Sequence, residues 1–164
     1  MIKDSGERRE FETGAVRDIQ EGKGRCDLLP LDVVSECAES LNYGSPLGAI
    51  LHLIHLYKNS YLRNAIFIYR AINIFCTNVS WSMSDALLEV SIHYEEGAKK
   101  YGENNWQKGI PSHCYLDSGI RHLLKYYRGD TDERHDRACI WNMLGVIWNE
   151  LNKPELNDVC NKEV

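Results

Sequence analysis

The sequence predicts an all-α protein, with a single helical domain over residues 1–164. Apolar residues recur at spacings of three and four along most of the chain, while the alternation typical of β-strands is almost absent. Glycine and proline residues separate these periodic stretches, as they do where helices end. Hydrophobic residues make up 43% of the chain and charged residues 26%, which is enough to bury a core and remain soluble. We therefore expect a helical bundle.

The N-terminal part predicts an irregular arm followed by a short helix. Residues 1–10 are highly charged, and residues 11–32 combine glycine with charge and show no helical pattern. Residues 31–41 place apolar side chains at helical spacing. Residues 43–46, with the sequence YGSP, then break that pattern.

Three helices are predicted in the middle of the chain. Residues 47–57 and 61–75 are two apolar stretches of helical length. A longer amphipathic helix follows, for which Ser82 or Ser84 can serve as the N-cap. Gly102 ends it, because glycine readily takes the backbone conformation found just past a helix.

A loop over residues 103–111 leads to the next predicted helix. Ser112 is a natural N-cap for a helix over residues 113–128, and Gly129 ends it. Asp130 or Thr131 is expected to cap the last helix, which runs to about residue 151. Its first turns carry Asp132, Glu133 and Asp136, where acidic side chains suit the helix dipole.

Composition excludes several classes of protein. The net charge of −5 argues against a general nucleic-acid binder, since such proteins present a basic surface to the phosphates. The six cysteines form no C-x-x-C pair, so a zinc site built from them is not expected. The first residues have no apolar core of a signal peptide, and no apolar stretch has the length of a membrane span. We expect a cytoplasmic protein that associates with neither membranes nor nucleic acid.

Two acidic clusters suggest a metal site. The first contains Glu95 and Glu96 on the long helix, and the second consists of Asp132, Glu133 and Asp136. Hard divalent cations such as Mg²⁺ and Mn²⁺ take carboxylate oxygens as ligands, and two facing helices could supply them. The alternative is that these acids are solvated surface residues, or that those of the last helix only cap it.

Cationic and polar residues near these clusters suggest a nucleotide substrate. Arg121, His122 and Lys125 lie on the helix between the clusters and can bind phosphate oxygens. Lys23 and Arg25 lie in the glycine-flanked sequence GKGR of the arm. Three further residues are candidates for contacting a base or orienting the ligand: Asn105, Trp106 and Asn142. Together with the acids they point to metal-assisted nucleotide hydrolysis.

Three sequence blocks resemble a known family. These are ETGAVRDIQEGKGRCDLLP near the N-terminus, GAKKYGENNWQKGIP from residue 97, and YLDSGIRHLLKYYRGDTDE from residue 115, the last followed by H-x-x-x-x-x-W-N. They resemble the phage dATP/dGTP diphosphohydrolases, which look related to the MazG-type all-α nucleotide pyrophosphohydrolases. The resemblance covers residues 11–38 and 85–150. It makes residues 85–150 the catalytic helices and residues 43–84 a helical insertion.

The resemblance implies an activity and a set of site residues. The reaction would convert a deoxypurine nucleoside triphosphate, dGTP or dATP, to the monophosphate and pyrophosphate with Mg²⁺ or Mn²⁺. Some members belong to pathways that place 2-aminoadenine in phage DNA. MazG-type proteins associate, which implies a homodimer or homotetramer. The implied catalytic residues are Glu133 and Asp136 with Glu95 or Glu96, and Asp132 and His135 compete for the same role.

Two other functions fit parts of the sequence. The doublet His135-Asp136 is what an HD-type phosphohydrolase uses, and such an enzyme would release tripolyphosphate or a single phosphate. A non-enzymatic acidic helical adaptor would show no turnover. The products formed from a nucleotide separate these three possibilities.

Overall fold

The computed structural model describes residues 5–19, 26, 46–58 and 66–159. In this part of the chain a small antiparallel hairpin precedes the helices. Its strands are β1 (Arg8–Glu10) and β2 (Val16–Asp18), with Arg9 opposite Arg17. The helices are α1 (Pro46–Lys58), α2 (Ile66–Asn78), α3 (Met83–Tyr101), α4 (Ser112–Arg128) and α5 (His135–Asn152). Short 3₁₀ turns span Asn105–Lys108 and Pro154–Leu156. The all-α fold with an N-terminal arm is thus confirmed.

The ends of α3 are set by local sequence, as predicted. Ser82 caps the helix, its hydroxyl accepting a hydrogen bond from Asp85 N at 3.1 Å. The Asp85 carboxylate in turn accepts one from Ser82 N at 3.0 Å, which completes a capping box. At the other end Gly102 donates its N–H to Ala98 O. Gly129 likewise ends α4 with a positive φ of 86°.

Helices α4 and α5 form the centre of the fold. They run antiparallel, because Gly119 of α4 lies against Met143 of α5 while Tyr115 of α4 lies against Gly145 of α5. Both glycines allow close approach: a Cβ on Gly145 would lie 2.4 Å from the Tyr115 ring. Helices α2 and α3 pack on the same α5, and α1 packs on α2. The side chains between them form one hydrophobic core.

Both predicted N-caps of the last two helices are wrong. Helix α4 already includes Ser112, whose fully buried hydroxyl lies 3.0 Å from Asn149 Nδ2 and accepts its hydrogen bond. The N–H of His113 is instead satisfied by Asp158 Oδ1 at 2.9 Å, from beyond the end of α5. Helix α5 begins at His135 without a side-chain cap. At the start of α4, a tertiary contact has thus replaced the predicted local cap.

The N-terminal arm also differs from the expectation of irregular structure. Residues 8–10 and 16–18 pair as strands that are too short to show a period in the sequence. The predicted helix over residues 31–41 and the cations Lys23 and Arg25 lie outside the described residues. None of the described cysteines, Cys26, Cys76, Cys114 and Cys139, forms a disulfide. Among the described residues, the helices are all too short or too polar to cross a membrane.

Candidate active site

A cavity of about 680 Å³ lies between the hairpin, α3, the 3₁₀ turn at Asn105–Lys108, α4 and α5. It brings together residues that are far apart in the sequence. Those that the sequence singled out and that line this cavity are Glu95, Asn105, Trp106, Arg121, His122, Lys125, Glu133 and Asn142. The size of the cavity is in the range of small-molecule binding sites.

Other predicted residues are not part of the cavity wall. Glu96, Asp132 and Asp136 are absent from its lining. The Asp136 carboxylate is held by Arg134, with Nε–Oδ1 and Nη2–Oδ2 distances of 3.0 and 2.8 Å. Burial raises the pKa of Asp136, but the hydrogen bonds from Arg134 and from Arg137 N lower it by more, so the carboxylate is ionised. The structure therefore separates Asp136 from Glu133.

The doublet His135-Asp136 is also divided between two environments. His135 contacts Asp132 and His122, whereas Asp136 contacts Arg134.

Glu95 lines the cavity from α3, with a largely exposed carboxylate that forms an ion pair with Lys99 one turn later.

The hairpin is tied to the helices by side-chain contacts at its second strand. The amide of Asn105 accepts a hydrogen bond from Val16 N at 3.1 Å and donates one to Val16 O at 2.8 Å. Thr13 Oγ1 donates to Gly109 O. The hairpin is thereby fixed beside the 3₁₀ turn and closes one side of the cavity.

The fixed hairpin brings Arg17 into the cavity, a residue that the sequence reasoning missed. Its guanidinium donates to Cys114 O and to Asn142 Oδ1, both at 3.0 Å. It also lies over the rings of Tyr115 and Trp141 at 5.4 and 5.6 Å. Burial lowers the pKa of Arg17, although an arginine remains charged at neutral pH. The signal for it was its place in the block ETGAVRD, which carried the resemblance.

Arg121 and Lys125 add positive charge from one face of α4. Arg121 Nη1 lies 2.9 Å from Asp117 Oδ2, one turn earlier, and Lys125 Nζ lies 3.3 Å from Asp132 Oδ2. Arg9 lines the cavity from the hairpin and donates to Cys114 Sγ at 2.9 Å. Cations from two elements thus surround the cavity.

A cluster of two histidines and a carboxylate lies where α4 meets the start of α5. His122 Nδ1 is 3.0 Å from His135 Nδ1, and Glu133 Oε1 is 3.6 and 3.8 Å from these two nitrogens. His135 Nε2 lies 2.8 Å from Asp132 Oδ1. Burial, reinforced by the positive charge of nearby Arg121, holds the pKa of His122 well below its ordinary value. This donor set fits a divalent cation, as does the more exposed group Asp130, Asp132 and His135.

Aromatic rings form the apolar wall of the cavity. Trp106 makes an edge contact with Tyr94, at 5.6 Å between ring centroids, and Tyr94 lies 6.0 Å from Trp141. His93 stands 5.6 Å from Trp141. Burial and nearby cations, Arg137 first among them, lower the pKa of His93 to about 4, so this ring is neutral. A planar apolar group could bind against these rings.

Comparison with known proteins identifies the family of this chain. The sequence model of the family described as "dATP/dGTP diphosphohydrolase, N-terminal" matches residues 72–159, more than half of the chain. The match begins within the range that the sequence suggested as an insertion, and it includes α3, α4 and α5. Comparisons with curated proteins and with solved structures gave no match. The protein therefore belongs to the dATP/dGTP diphosphohydrolase family and is a nucleoside triphosphate pyrophosphohydrolase.

Proposed function

We propose that the protein hydrolyses dGTP, dATP or both to the nucleoside monophosphate and pyrophosphate, with Mg²⁺ or Mn²⁺. The observation that carries this proposal is that Glu95 and Glu133 line the same cavity as Arg17, Arg121 and Lys125. A nucleoside triphosphate needs both kinds of group: cations against its phosphates and acids for the accompanying metal.

The cations of the cavity bind and orient the triphosphate in this proposal. A guanidinium can hold two phosphate oxygens at once, which fixes direction as well as charge. Arg121 is already oriented by Asp117, and Arg17 by Asn142. These contacts limit the rearrangement needed when the substrate binds.

The aromatic wall accepts the base. Trp106 and Trp141 offer ring surface, while the Asn105 amide is engaged by Val16 and holds the hairpin in place. The role of Asn105 in this proposal is therefore to position the wall as well as to line it.

Carboxylates of the cavity hold the cation. Glu133 has the better position because its side chain is largely buried and faces the two histidines, whereas Glu95 is largely exposed. When bound, the cation would polarise a phosphoryl oxygen and lower the pKa of a water molecule. Arg121 and Lys125 lie near enough to the same cavity to offset the negative charge that develops during cleavage.

The proposal extends to assembly and setting. The outer face of α3 exposes Leu87, Leu88 and Ile92, with Leu88 69% exposed. Adjacent apolar side chains of this kind are typical of a surface that is covered by another chain. We propose that the protein forms a homodimer or homotetramer and acts in the host cytoplasm, in phage nucleotide-pool or 2-aminoadenine metabolism.

A product analysis tests the reaction. The purified protein is incubated with each deoxynucleoside triphosphate and with Mg²⁺ or Mn²⁺ in ¹⁸O-labelled water, and products are separated by ion-exchange chromatography. The proposal expects monophosphate and pyrophosphate in one step, with faster turnover of dGTP or dATP than of dCTP and dTTP. A diphosphate, or a nucleoside with tripolyphosphate, as first product would contradict it. Absence of turnover with every nucleotide would favour the adaptor.

A further inference from the structure

The cluster at the junction of α4 and α5 has the geometry of a specific metal site. We infer that His122, Glu133 and His135 together bind a transition-metal dication of the Mn²⁺ or Co²⁺ type, in preference to Mg²⁺. The inference adds two histidine ligands to the carboxylate of the proposed function. It rests on that function only for the role of the cation in nucleotide hydrolysis.

Distances between the donor atoms support the inference. Ligands about 2.1 Å from one metal ion, at the angles of a tetrahedron or octahedron, lie about 3.0–3.4 Å from each other. The three separations in the cluster are 3.0, 3.6 and 3.8 Å, so adjustments of a few tenths of an ångström suffice. The donor atoms also come from two different elements, so their approach is a product of the fold.

Asp132 prepares His135 for this role. A carboxylate can only accept, so the 2.8 Å contact places a proton on His135 Nε2. In the neutral ring, Nδ1 then carries the lone pair, and this is the atom that faces His122 and Glu133. A carboxylate holding the second nitrogen of a metal-bound histidine is a common arrangement around metal ions. Asp132 is thus a positioning residue for His135.

The contact between the two histidines is compatible with metal binding. His135 Nδ1, as acceptor, requires that His122 Nδ1 donate a proton across the 3.0 Å contact. A cation in the cluster takes the place of that proton, and the neutral His122 ring then carries its one proton on Nε2. The charge of the buried carboxylate of Glu133 compensates part of the charge of the cation.

Burial and direction distinguish this cluster from the other acidic groups. The His135 side chain is 1% exposed, and those of His122 and Glu133 are 13% and 12% exposed. His122 and Glu133 both line the cavity, so the remaining coordination positions would open towards the substrate. Three protein ligands with an open position are typical of catalytic metal sites.

The nature of the donors sets the choice of cation. Imidazole nitrogen binds transition-metal dications, more strongly for Co²⁺ than for Mn²⁺, whereas Mg²⁺ prefers oxygen ligands and gives up its water reluctantly. We therefore expect Mn²⁺ and Co²⁺ to raise the melting temperature of the metal-free protein at concentrations at which Mg²⁺ does not.

The test uses the full-length protein after treatment with a chelator, titrated with Co²⁺ while visible absorption is recorded. Binding through two imidazoles should give intensified visible bands and a saturable titration. His122→Gln and Glu133→Gln should each remove or strongly weaken these bands. Asp132→Asn should weaken binding by about 10–100-fold, the usual effect of removing such a supporting carboxylate. His93→Gln, a histidine of the same cavity outside the cluster, is the matched control and should leave the titration unchanged.

Circular dichroism of each variant verifies folding. His122 is the histidine chosen for substitution because His135 is more deeply buried and its replacement could prevent folding. Unchanged Co²⁺ binding by folded His122→Gln, or equal stabilisation by Mg²⁺ and Mn²⁺, would overturn the inference. The two proposals fail separately. Cobalt binding that depends on His122 without nucleotide turnover supports the metal site and refutes the proposed reaction. Turnover with Mg²⁺ that is unaffected by His122→Gln supports the proposed reaction and refutes the metal site.

Discussion

Glu133 and Asp136 are three residues apart, yet their carboxylates lie in different surroundings. Glu133 faces the histidines at the edge of the cavity, and Asp136 is enclosed by Arg134 and the backbone of Arg137. From the sequence, both were predicted to be metal ligands. Their positions now make a comparison of the two the most direct test of which acid takes part in the reaction.

Replacement of Glu133 should mainly affect turnover, and replacement of Asp136 should mainly affect stability. We expect Glu133→Ala to lower kcat by about 10²–10³-fold, as removal of one electrostatic contribution to a transition state does, while the protein stays folded. Asp136→Ala should lower the free energy of unfolding by about 1 kcal/mol, because it removes a partly exposed ion pair, while Arg134 keeps its contact with Glu89. Turnover and urea unfolding of both variants measure this. If both variants lost the same amount of turnover per folded molecule, Asp136 would have to be a metal ligand as well.

Arg17 provides a second test at the level of one side chain. Its fork donates in two directions, to Cys114 O and Asn142 Oδ1, which a lysine cannot reproduce. A hydrogen bond to a charged group contributes about 1.5–3 kcal/mol, so Arg17→Lys should raise KM for the nucleotide by about 10–100-fold. Arg8→Lys, in the same hairpin but outside the cavity lining, is the control for a general effect on the hairpin. Similar KM values for all three proteins would exclude Arg17 from the site.

At the scale of elements, the close contact of α4 and α5 depends on glycine. Gly145→Ala would push a methyl group against the fully buried Tyr115 ring, so we expect a loss of stability of about 1–3 kcal/mol. Gly97→Ala, within α3, meets nothing within 4 Å. That substitution should increase stability by about 0.5–1 kcal/mol, because alanine favours the helix. Thermal unfolding of both variants gives the answer, and equal effects would show that the α4–α5 contact is looser than described.

The segment after α5 is pinned to the start of α4 by His113 and Asp158. Their side chains form an ion pair, and Asp158 Oδ1 accepts the His113 N–H. The hydrogen bond that His113 donates to Asp158, assisted by Cys114, raises the pKa of His113 to about 10, against an ordinary value of 6.5. Because the folded state holds the proton more tightly, this contribution is complete below about pH 6.5. It is lost as the pH rises towards 10.

Asp158→Asn tests the pH dependence while keeping an oxygen for the His113 N–H. The pair is partly exposed, so we expect a loss of no more than about 1 kcal/mol at pH 6. The difference from the unsubstituted protein should shrink between pH 7 and pH 9.5, as urea unfolding at several pH values would show. A difference that stays constant over this range would mean that the ion pair does not form in solution.

At the scale of the whole molecule, the apolar face of α3 predicts association. The protein should elute as a dimer or tetramer, and Leu88→Lys should shift it to a smaller species by placing a charge in the contact. Size-exclusion chromatography with light scattering measures both. An unsubstituted protein that is monomeric at micromolar concentration would contradict the proposed assembly, and an unchanged Leu88→Lys oligomer would move the interface elsewhere.

How far the sequence predicted this molecule depended on whether the determining contacts were local. Gly102 and Gly129 end their helices through backbone conformation, so those boundaries were readable. Ser112 was misread as a cap because its partner, Asn149, lies 37 residues away. The hairpin was missed since strands of three residues carry no periodic signal.

For the site too, residues placed by local structure could be predicted from the sequence, and residues placed by long-range contacts could not. Arg121, His122 and Lys125 occupy one side of a helix, and their common environment could be inferred from spacing. Arg17 could not be recognised in this way, because its position depends on the hairpin docking against the 3₁₀ turn.

The docking of Val16 on Asn105 has a consequence beyond the active site. A two-stranded hairpin presents N–H and C=O groups along each outer edge, and such an edge can pair with a strand from another molecule. The Asn105 amide has the same donor and acceptor as a peptide group and takes up both polar atoms of Val16. Asn105 thus pairs with the outer edge of the hairpin as one residue of a neighbouring strand would. At Val16, this edge is therefore not open to pairing with a strand of another molecule, which would lead to aggregation.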